Sequence, residues 1–342
     1  MKTITSVELA RLAGVSQSTV SRCLNDSPLV SEETKARVKK IAEENAFQFN
    51  TNARGLKTNR TGVVGYIFSH DFTGFSNHYI QSDLYYRIRM RLLNYGLDVV
   101  PVFEDCGRDG ENSIEKNIGN RRFDALIFNR QSVSERVETL LAETKIPYIF
   151  IYDTNEETTA PFMIAPRHTQ IGYLVGKTFC QAGYTQFVEV TGPRSRIDVI
   201  HKHEGFVRAL REHGQDLADS AILCADYRLE RAQEVTQERI DLFRPGTAVF
   251  AQNDLVALGV LEALKQNQIR VPEDVAIIGA DNIVMGRWFH PQLTTVAIDY
   301  DRIIDLTEQW VVNITEKKPV QEYRYFLEGK LILRDTFRFD KK

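Results

Sequence analysis

The chain has 342 residues, of which 43% are hydrophobic and 26% are charged, and its net charge is −3. This length predicts two or three domains, and the composition excludes a mainly disordered, collagen-like or disulfide-stapled chain. No segment approaches the roughly 20 apolar residues that span a bilayer, and the first residues lack the apolar stretch of a secretory signal, so we expect a cytoplasmic protein. The four scattered cysteines form no CxxC pair, which predicts neither a zinc site nor a disulfide framework.

The net charge argues weakly against a nucleic-acid-binding protein, but it is distributed unevenly. Residues 1–60 contain ten lysines and arginines and six acidic side chains, a net charge of +4. Since the whole chain carries −3, the remainder carries −7. A basic head on an acidic body is expected when a polyanion-binding module is joined to a domain with another task. Surface helices that are basic only for solubility are the alternative explanation.

The first sixty residues predict three short helices. Thr5 begins a capping box for the first helix, and Gly14 interrupts that helix. Ser16 is a good N-cap for a second helix at residues 17–24, and Ser31 is one for a third helix. Two short helices around a glycine turn, with a third packed against them, form a helix-turn-helix.

The exposed start of the predicted second helix carries hydrogen-bonding side chains. Such side chains read base edges or hold phosphates when a helix lies in the major groove of DNA. The residues of this kind are Gln17, Ser18, Thr19, Ser21 and Arg22. A solvated polar face on a three-helix domain is the alternative interpretation, and the helix pattern alone does not separate the two.

The residue spacing in this segment resembles the N-terminal signature of the lactose/galactose repressor (LacI/GalR) family. The residues that carry the resemblance are Val7, Leu9, Ala10, Ala13, Gly14, Val15, Ser16, Thr19, Val20, Ser21, Arg22, Leu24 and Asn25, followed by Val30, Ser31, Thr34, Val38, Asn50, Ala53 and Leu56. The resemblance implies binding to double-stranded operator DNA. The DNA-binding residues that we predict are Thr5, Ser16, Gln17, Ser18, Thr19, Ser21, Arg22, Asn25, Ser31, Asn50, Ala53 and Leu56.

A hinge is expected at residues 50–60, after a DNA-binding domain at residues 1–49. The resemblance implies a short helix that inserts Leu56 into the minor groove, where an apolar wedge kinks DNA. The segment is too short to be stably helical alone, and Gly55 weakens it further, so it could fold only on DNA. A plain linker is the alternative, and Phe49 stands where the family usually has proline.

From Thr61 onward, apolar runs alternate with amphipathic stretches. The predicted strands are Val63–Phe68, Val99–Phe103, Ala125–Phe128, Tyr148–Ile151, Phe187–Val190, Ala248–Ala251, Val275–Gly279 and, as the last, Leu331–Phe337. The predicted helices are Tyr79–Asn94, Val133–Glu143, Thr169–Gln181, Lys202–His213, Leu229–Leu242 and Leu255–Asn267. The alternation predicts parallel sheets joined by right-handed crossovers, and about 280 residues of it predict two lobes.

The resemblance extends over this body, which implies the family's two-lobed α/β core, similar to periplasmic sugar-binding proteins, with a ligand held between the lobes. The motifs that carry it are Thr191-Gly192-Pro193, Lys202-x-x-Gly205-Phe206, Asn253-Asp254, Val271-Pro272-x-Asp274 and Pro291-x-Leu293-Thr294-Thr295. The expected effector-binding and dimerisation core is residues 61–342. Its first lobe is expected at about 61–162 and 293–323, and its second at about 163–292 and 324–342.

Ligands of open α/β sheets bind beyond the carboxyl ends of the strands. Asn253 and Asp281 follow two predicted strands, and their amide and carboxylate groups can bind adjacent sugar hydroxyls. A helix N-cap for Asn253, a loop-capping acid for Asp281 and simple packing for aromatic side chains are the alternatives. The effector-binding residues that we predict are Phe72, Tyr79, Tyr152, Asp153, Lys202, Tyr227, Asn253 and Asp281.

Lys202 stands where the family has a cleft arginine, which weakens bidentate clamping of two oxygens. Together with Arg194 and Arg196 it would suit an acidic or phosphorylated sugar, although these cations are equally explained as solvated loop charges. We therefore expect a sugar, a sugar acid or a sugar phosphate as the effector, rather than simply a lactose- or galactose-type ligand.

The prediction is a homodimeric, allosteric transcriptional repressor of a carbohydrate-utilisation operon. A bound ligand would close the lobes and favour or disfavour the folded hinge. The absence of a heptad tail favours a dimer over a tetramer. A periplasmic binding protein would need a signal peptide, and an enzyme would need a nucleophile or phosphate-loop motif, neither of which the sequence contains. We expect no cofactor, metal or membrane partner.

Overall fold

The computed structural model describes residues 4–24, 27–45, 47, 60–69, 72, 74, 78–104, 112–130, 132–152 and 160–339. Contacts divide the chain into two units, residues 1–61 and residues 62–342. Among the described helices, none combines the length and the apolar character that crossing a bilayer requires.

The described part of the N-terminal unit contains three helices, and their starts follow from side-chain caps. The helices are α1 (Ser6–Ala13), α2 (Gln17–Leu24) and α3 (Glu32–Glu44). The predicted capping box is confirmed, because Thr5 Oγ1 accepts a hydrogen bond from Glu8 N at 3.2 Å while the Glu8 carboxylate accepts one from Thr5 N at 2.7 Å. Gly14 ends α1 with φ of 65°, a conformation that glycine adopts without steric cost.

The caps of the next two helices are also confirmed. Ser16 Oγ accepts from Thr19 N at 3.1 Å, and Ser31 Oγ accepts from Thr34 N at 3.4 Å. The three helices enclose a small core of Leu9, Ala10, Ala13, Val20, Cys23, Val38 and Ala42. The unit is therefore the helix-turn-helix that the sequence predicts.

The second unit alternates strands and helices. In chain order its elements are β1 (Val63–Phe68), α4 (Tyr79–Leu93), β2 (Asp98–Val102), α5 (Ser113–Gly119), β3 (Ala125–Asn129), α6 (Glu135–Thr144), β4 (Tyr148–Ile151), β5 (Phe162–Pro166), α7 (His168–Gln181), β6 (Gln186–Thr191), α8 (Ile197–Glu212), β7 (Ile222–Cys224), α9 (Leu229–Glu238), β8 (Thr247–Ala251), α10 (Asp254–Gln266), β9 (Val275–Ala280), β10 (Thr294–Ala297), α11 (Tyr300–Thr315), β11 (Tyr323–Leu327) and β12 (Lys330–Ile332). Short 3₁₀ turns occupy residues 219–221, 240–242 and 284–287.

The strands that the structure describes form two six-stranded sheets, one in each lobe. The first sheet has the order β11-β5-β4-β3-β1-β2, and all its pairs are parallel. The second has the order β12-β10-β9-β8-β6-β7, in which only the β10–β12 pair is antiparallel. Because the central strands are covered on both faces, β3, β8 and β9 are buried at every position. The predicted two-lobed α/β core is therefore confirmed.

The lobe boundaries differ from the predicted ones, because the chain crosses between the lobes at other residues. Strand β5 pairs with β4 and β11 and so belongs to the first lobe, although residues from 163 onward were predicted in the second. Strand β10 pairs with β9, so residues 294–297 belong to the second lobe and not the first. Strand β11 pairs with β5, so residues 324–327 belong to the first lobe.

The predicted final strand, Leu331–Phe337, is also wrong in its extent. The strand is Lys330–Ile332, and the chain then turns. Asp335 in this turn accepts a hydrogen bond from Gln292 N at 3.0 Å. Thr336 follows and bonds the backbone of Ile277 in β9. These side-chain contacts replace a regular ladder.

Candidate functional site

Helix α2 presents a polar face. Gln17, Ser18 and Arg22 are exposed on it, and Thr19 and Ser21 are half-buried. The spacing of four residues from Gln17 to Ser21 and from Ser18 to Arg22 places these pairs on one face of the helix. Side chains of these types suit base edges and phosphates in a major groove.

Several predicted DNA-binding residues also hold the head together. Thr5, Ser16 and Ser31 are exposed helix caps, and Gln17 Nε2 donates to Ser6 Oγ at 2.9 Å, which joins α2 to α1. A cap hydroxyl at an exposed helix start can also meet a phosphate, so the two roles are compatible. The predicted residues Asn25, Asn50, Ala53 and Leu56 lie outside the described residues.

A cavity of about 240 Å³ lies between the two lobes. Six of the predicted effector-binding residues line it: Tyr79, Tyr152, Lys202, Tyr227, Asn253 and Asp281. The location follows from topology, because the carboxyl ends of parallel strands and the first residues of the following helices meet at one edge of each sheet. Helices α4, α7, α8, α9 and α10 all begin beside the cavity, each with its first residue or N-cap in the lining.

A buried ionic cluster forms one wall of the cavity. Arg196 Nε bonds Asp198 Oδ1 at 2.9 Å, and Lys202 Nζ bonds Asp198 Oδ2 at 3.2 Å. The hydroxyl of Tyr227 also donates to Asp198. Burial would raise the pKa of Asp198, but Arg196 and Lys202 beside it hold that pKa well below its usual range. Asp198 is therefore an anion that organises two cations and a tyrosine.

Lys202 is fully engaged within this cluster. Its ammonium group donates to Asp198, to the Tyr227 hydroxyl and to the Gln252 carbonyl, each at 3.2 Å. An ammonium has three N–H donors, so these bonds use all of them. Lys202 therefore joins α8 to the end of β8, through Gln252, and to the segment that carries Tyr227. Direct donation to an effector would require one of these bonds to break.

The position of the Tyr227 ring requires glycine at position 192. A Cβ atom added there would lie 2.4 Å from the Tyr227 ring. This contact gives the glycine of the Thr191-Gly192-Pro193 motif a physical role, since any side chain would push the tyrosine out of the wall.

Asp281 lies at the carboxyl end of β9 and is only 8% exposed. Its φ of 110° is rarely adopted by residues with a side chain, so the surrounding structure must hold it. Its backbone N–H donates to the Val296 carbonyl at 2.9 Å, and Tyr300 donates its hydroxyl to Asp281 Oδ1 at 3.0 Å. Burial raises the pKa of Asp281 to about 6.

The two residues of the Asn253-Asp254 motif support the site in different ways. Asn253 caps α10 through its Oδ1, which accepts from Val256 N at 2.8 Å, and this leaves the amide NH₂ as the group that the cap does not use. Asp254 is fully buried and accepts from Ile283 N at 2.8 Å and Thr295 Oγ1 at 2.6 Å. Asp254 therefore fixes the loop that presents Asp281.

One described residue among the predicted effector-binding residues does not line the cavity. Phe72 packs on Phe68 with 4.3 Å between ring centroids and on Phe103 with 5.6 Å, and it is not part of the lining. The position of Phe72 therefore agrees with the alternative interpretation, in which this side chain serves packing. Asp153 lies outside the described residues. The described residues contain no cluster of histidine, cysteine and acidic side chains that could hold a metal ion.

The structure adds His168 and Asp198 to the lining, which the sequence interpretation missed. Asp198 precedes Lys202 by one helical turn, a spacing that favours an ion pair and could have indicated it. His168 is the first residue of α7, and only Arg167 separates it from the end of β5. Because β5 was not predicted, the position of His168 beyond a strand end was not visible.

Replacing Asp281 with asparagine is expected to stabilise the core in a pH-dependent way. The folded carboxyl has a raised pKa of about 6, so its ionised form carries a cost that is absent below about pH 4 and grows as the pH rises through 6. The variant should exceed the wild type by about 3 kcal/mol in unfolding free energy above pH 7, and this gain should shrink toward pH 5. Urea unfolding at several pH values measures it.

Asp274→Asn is the matched control for that experiment. The Arg270 side chain, which bonds Asp274 at 2.7 Å, lowers the pKa of Asp274 to about 2. The control should therefore lose stability at neutral pH. A pH-independent effect of Asp281→Asn would contradict the assignment of a buried carboxyl that resists ionisation.

A helix-turn-helix unit joined to a two-lobed core with a cavity between its lobes is the architecture of a DNA-binding regulator. The comparisons with known proteins agree. The family model described as bacterial regulatory proteins, lacI family, matches residues 5–50, and the model of a periplasmic binding protein-like domain matches residues 164–337, about half of the chain. The chain belongs to the LacI family of transcriptional regulators.

Curated relatives and solved structures cover nearly the whole chain. The HTH-type transcriptional repressor PurR of Vibrio parahaemolyticus is 26% identical over 332 residues, 97% of this chain and 98% of that protein. The probable HTH-type transcriptional repressor ExuR of Bacillus subtilis is 24% identical over 337 residues, 98% of each chain. The fold is similar to that of a lac repressor dimer bound to operator and the anti-inducer ONPF, with a TM-score of 0.83, 22% identity and coverage of 98% of this chain and 99% of that one. A complex of the transcriptional regulator CelR with cellobiose has a TM-score of 0.69, 21% identity and coverage of 98% and 100%. The protein is a DNA-binding transcriptional repressor, not an enzyme.

Proposed function

We propose that the protein represses a carbohydrate-utilisation operon and that a sugar-type effector, namely a sugar, a sugar acid or a sugar phosphate, controls it. The observation that carries this proposal is the combination of polar and aromatic groups in one cavity. The buried Asp281 carboxylate and the Asn253 amide suit adjacent hydroxyls, and Tyr79 and Tyr152 offer ring surfaces from the opposite lobe. Small-ligand sites place convergent polar groups beside aromatic surface, and this cavity has both.

The cavity position suits allosteric control. Its lining comes from both lobes, so a ligand that bonds both stabilises one arrangement of the lobes over another. In this proposal the change reaches the hinge at residues 50–60 and alters how the two heads hold DNA. Linkage requires that operator binding then changes effector affinity by the same factor.

The proposed assembly is a homodimer. Tyr86, Met90 and Leu93 recur at helical spacing on α4 and are 59%, 44% and 41% exposed, an apolar stripe that a second copy would cover. Ion pairs from Arg91 of α4 to Asp305 and Glu308 of α11 hold this helix in place beside the stripe. A two-fold dimer would present two heads to a pseudo-palindromic operator. Since such a repressor would act on the chromosome, the location that we propose for it is the cytoplasm.

A thermal-shift screen tests the effector proposal. We expect at least one ligand among neutral sugars, sugar acids and sugar phosphates to raise Tm, because a ligand that binds only the folded state stabilises it. Asp281→Asn should lose most of that shift, while Asp274→Asn, at the other end of β9, should keep it. A shift given only by planar nucleobases would contradict the sugar assignment and point to stacking on the tyrosines.

A further inference from the structure

His168 combines burial with two unused hydrogen-bonding atoms. The residue is only 4% exposed, yet it lines the cavity between the lobes. Neither ring nitrogen, Nδ1 or Nε2, has a hydrogen-bond partner among the residues that the structure describes. Buried polar atoms are nearly always paired in native proteins, so an exception beside a cavity calls for a physical explanation.

The ring is neutral at physiological pH. Burial, and after it the charge of Lys202, lowers the pKa of His168 to about 3. A neutral imidazole offers one N–H donor and one acceptor nitrogen. That pair of functions matches a hydroxyl group, which donates and accepts, whereas a carboxylate or phosphate oxygen would use the donor alone.

The neighbouring cation does not compete for this role. All three N–H groups of Lys202 are bonded to protein acceptors, so the lysine does not need an anionic ligand to complete its bonding. Asp281, in contrast, is an acceptor that suits a ligand hydroxyl. Asp281 and His168 therefore both suit the hydroxyls of a polyol.

We propose that His168 is an effector-binding residue that recognises a hydroxyl of a sugar through its neutral imidazole. This inference rests on the proposed sugar-type effector and makes that proposal more specific, because it names a hydroxyl as the chemical group that the cavity recognises.

The place of His168 in the fold links that contact to the movement of the lobes. It is the second residue after β5, the last strand before the chain first crosses between the lobes, and it begins α7 in the second lobe. Its helix is held tightly against α8, because a Cβ atom at Gly172 would lie 1.8 Å from the Lys202 carbonyl oxygen. A ligand hydroxyl bonded to His168 would therefore be attached directly to the segment that crosses between the lobes.

The test compares three variants with D-glucose, D-galactose, cellobiose, D-glucuronate and D-glucose 6-phosphate as probes. His168→Leu should bind the sugar that shifts the wild type about 10- to 100-fold more weakly, since two hydrogen bonds are lost. Its Tm without sugar should be unchanged or higher, because the ring nitrogens have no partner to lose. His168→Asn retains a donor and an acceptor and should recover part of the binding.

His203→Leu is the matched control on α8. His203 Nδ1 bonds the buried Glu189 carboxylate at 2.6 Å, so this variant should lower Tm without sugar but keep the sugar-induced shift. Wild-type sugar affinity in His168→Leu would overturn the inference and leave the proposed function standing. A lowered Tm in His168→Leu with no rescue of binding by His168→Asn would also overturn it. No shift of the wild type by any probe would overturn the proposed function and the inference with it.

Discussion

Arg22→Ala is expected to abolish specific operator binding. Arg22 is exposed on the face of α2 that carries the predicted readers, and a bidentate arginine contact to guanine contributes about 1–3 kcal/mol of base discrimination. A dimer engages two heads, so the loss should reach roughly 30-fold to 10⁴-fold for a symmetric site. The operator is obtained by selection from random duplexes, and affinity is measured by fluorescence anisotropy against that operator and a scrambled duplex.

Arg37→Ala provides the control for the charge that is lost. Arg37 is exposed on α3, so both variants remove one positive charge from the head and should weaken salt-dependent phosphate binding equally. Only Arg22→Ala should erase the preference for the selected operator over the scrambled duplex. If Arg22→Ala retains the full preference, α2 is not the recognition helix.

Gly172→Ala is expected to destabilise the core severely. The added Cβ would lie 1.8 Å from the backbone oxygen of Lys202, and no side-chain rotation relieves a clash with backbone. The two helices must separate, which should cost about 3 kcal/mol or more and lower Tm by roughly 6–12 °C. The same displacement would move Lys202 and His168, so effector binding should weaken as well.

Gly119→Ala is the matched control for that substitution. Gly119 ends α5, and nothing lies within 4 Å of the position that its Cβ would take. The alanine should be neutral or stabilise slightly, because glycine costs more conformational entropy than alanine on folding. Equal Tm values for the two alanine variants would contradict the tight α7–α8 contact.

The parts of this fold that local physics determines could be predicted from the sequence. The capping hydroxyls of Thr5, Ser16 and Ser31 mark helix starts within a few residues, and strands such as Val63–Phe68 and Tyr148–Ile151 are apolar runs with the predicted bounds. Strand β11 could not be read in the same way, since most of its side chains are exposed or half-buried and its pairing with β5 joins distant segments.

The same distinction between local and distant determinants applies to the residues of the cavity. Asn253 and Asp281 could be found because they follow strands that the sequence predicts. The engagement of Lys202 could not, because its three acceptors come from α8, from Tyr227 and from Gln252, which lie up to 50 residues away. Whether a cation faces a ligand or a protein acceptor depends on such distant partners, so the sequence alone could not show that Lys202 is bonded to the protein.

Occupation of the cavity is expected to change the affinity for DNA. The direct measurement is anisotropy of the selected operator at fixed repressor concentration, titrated with the sugar that gives the largest thermal shift. We expect operator affinity to change by about 5- to 150-fold in the wild type, as coupling of about 1–3 kcal/mol implies, and to change little in Asp281→Asn. Operator affinity that stays constant in the wild type while the sugar saturates the cavity would contradict allosteric control by this site.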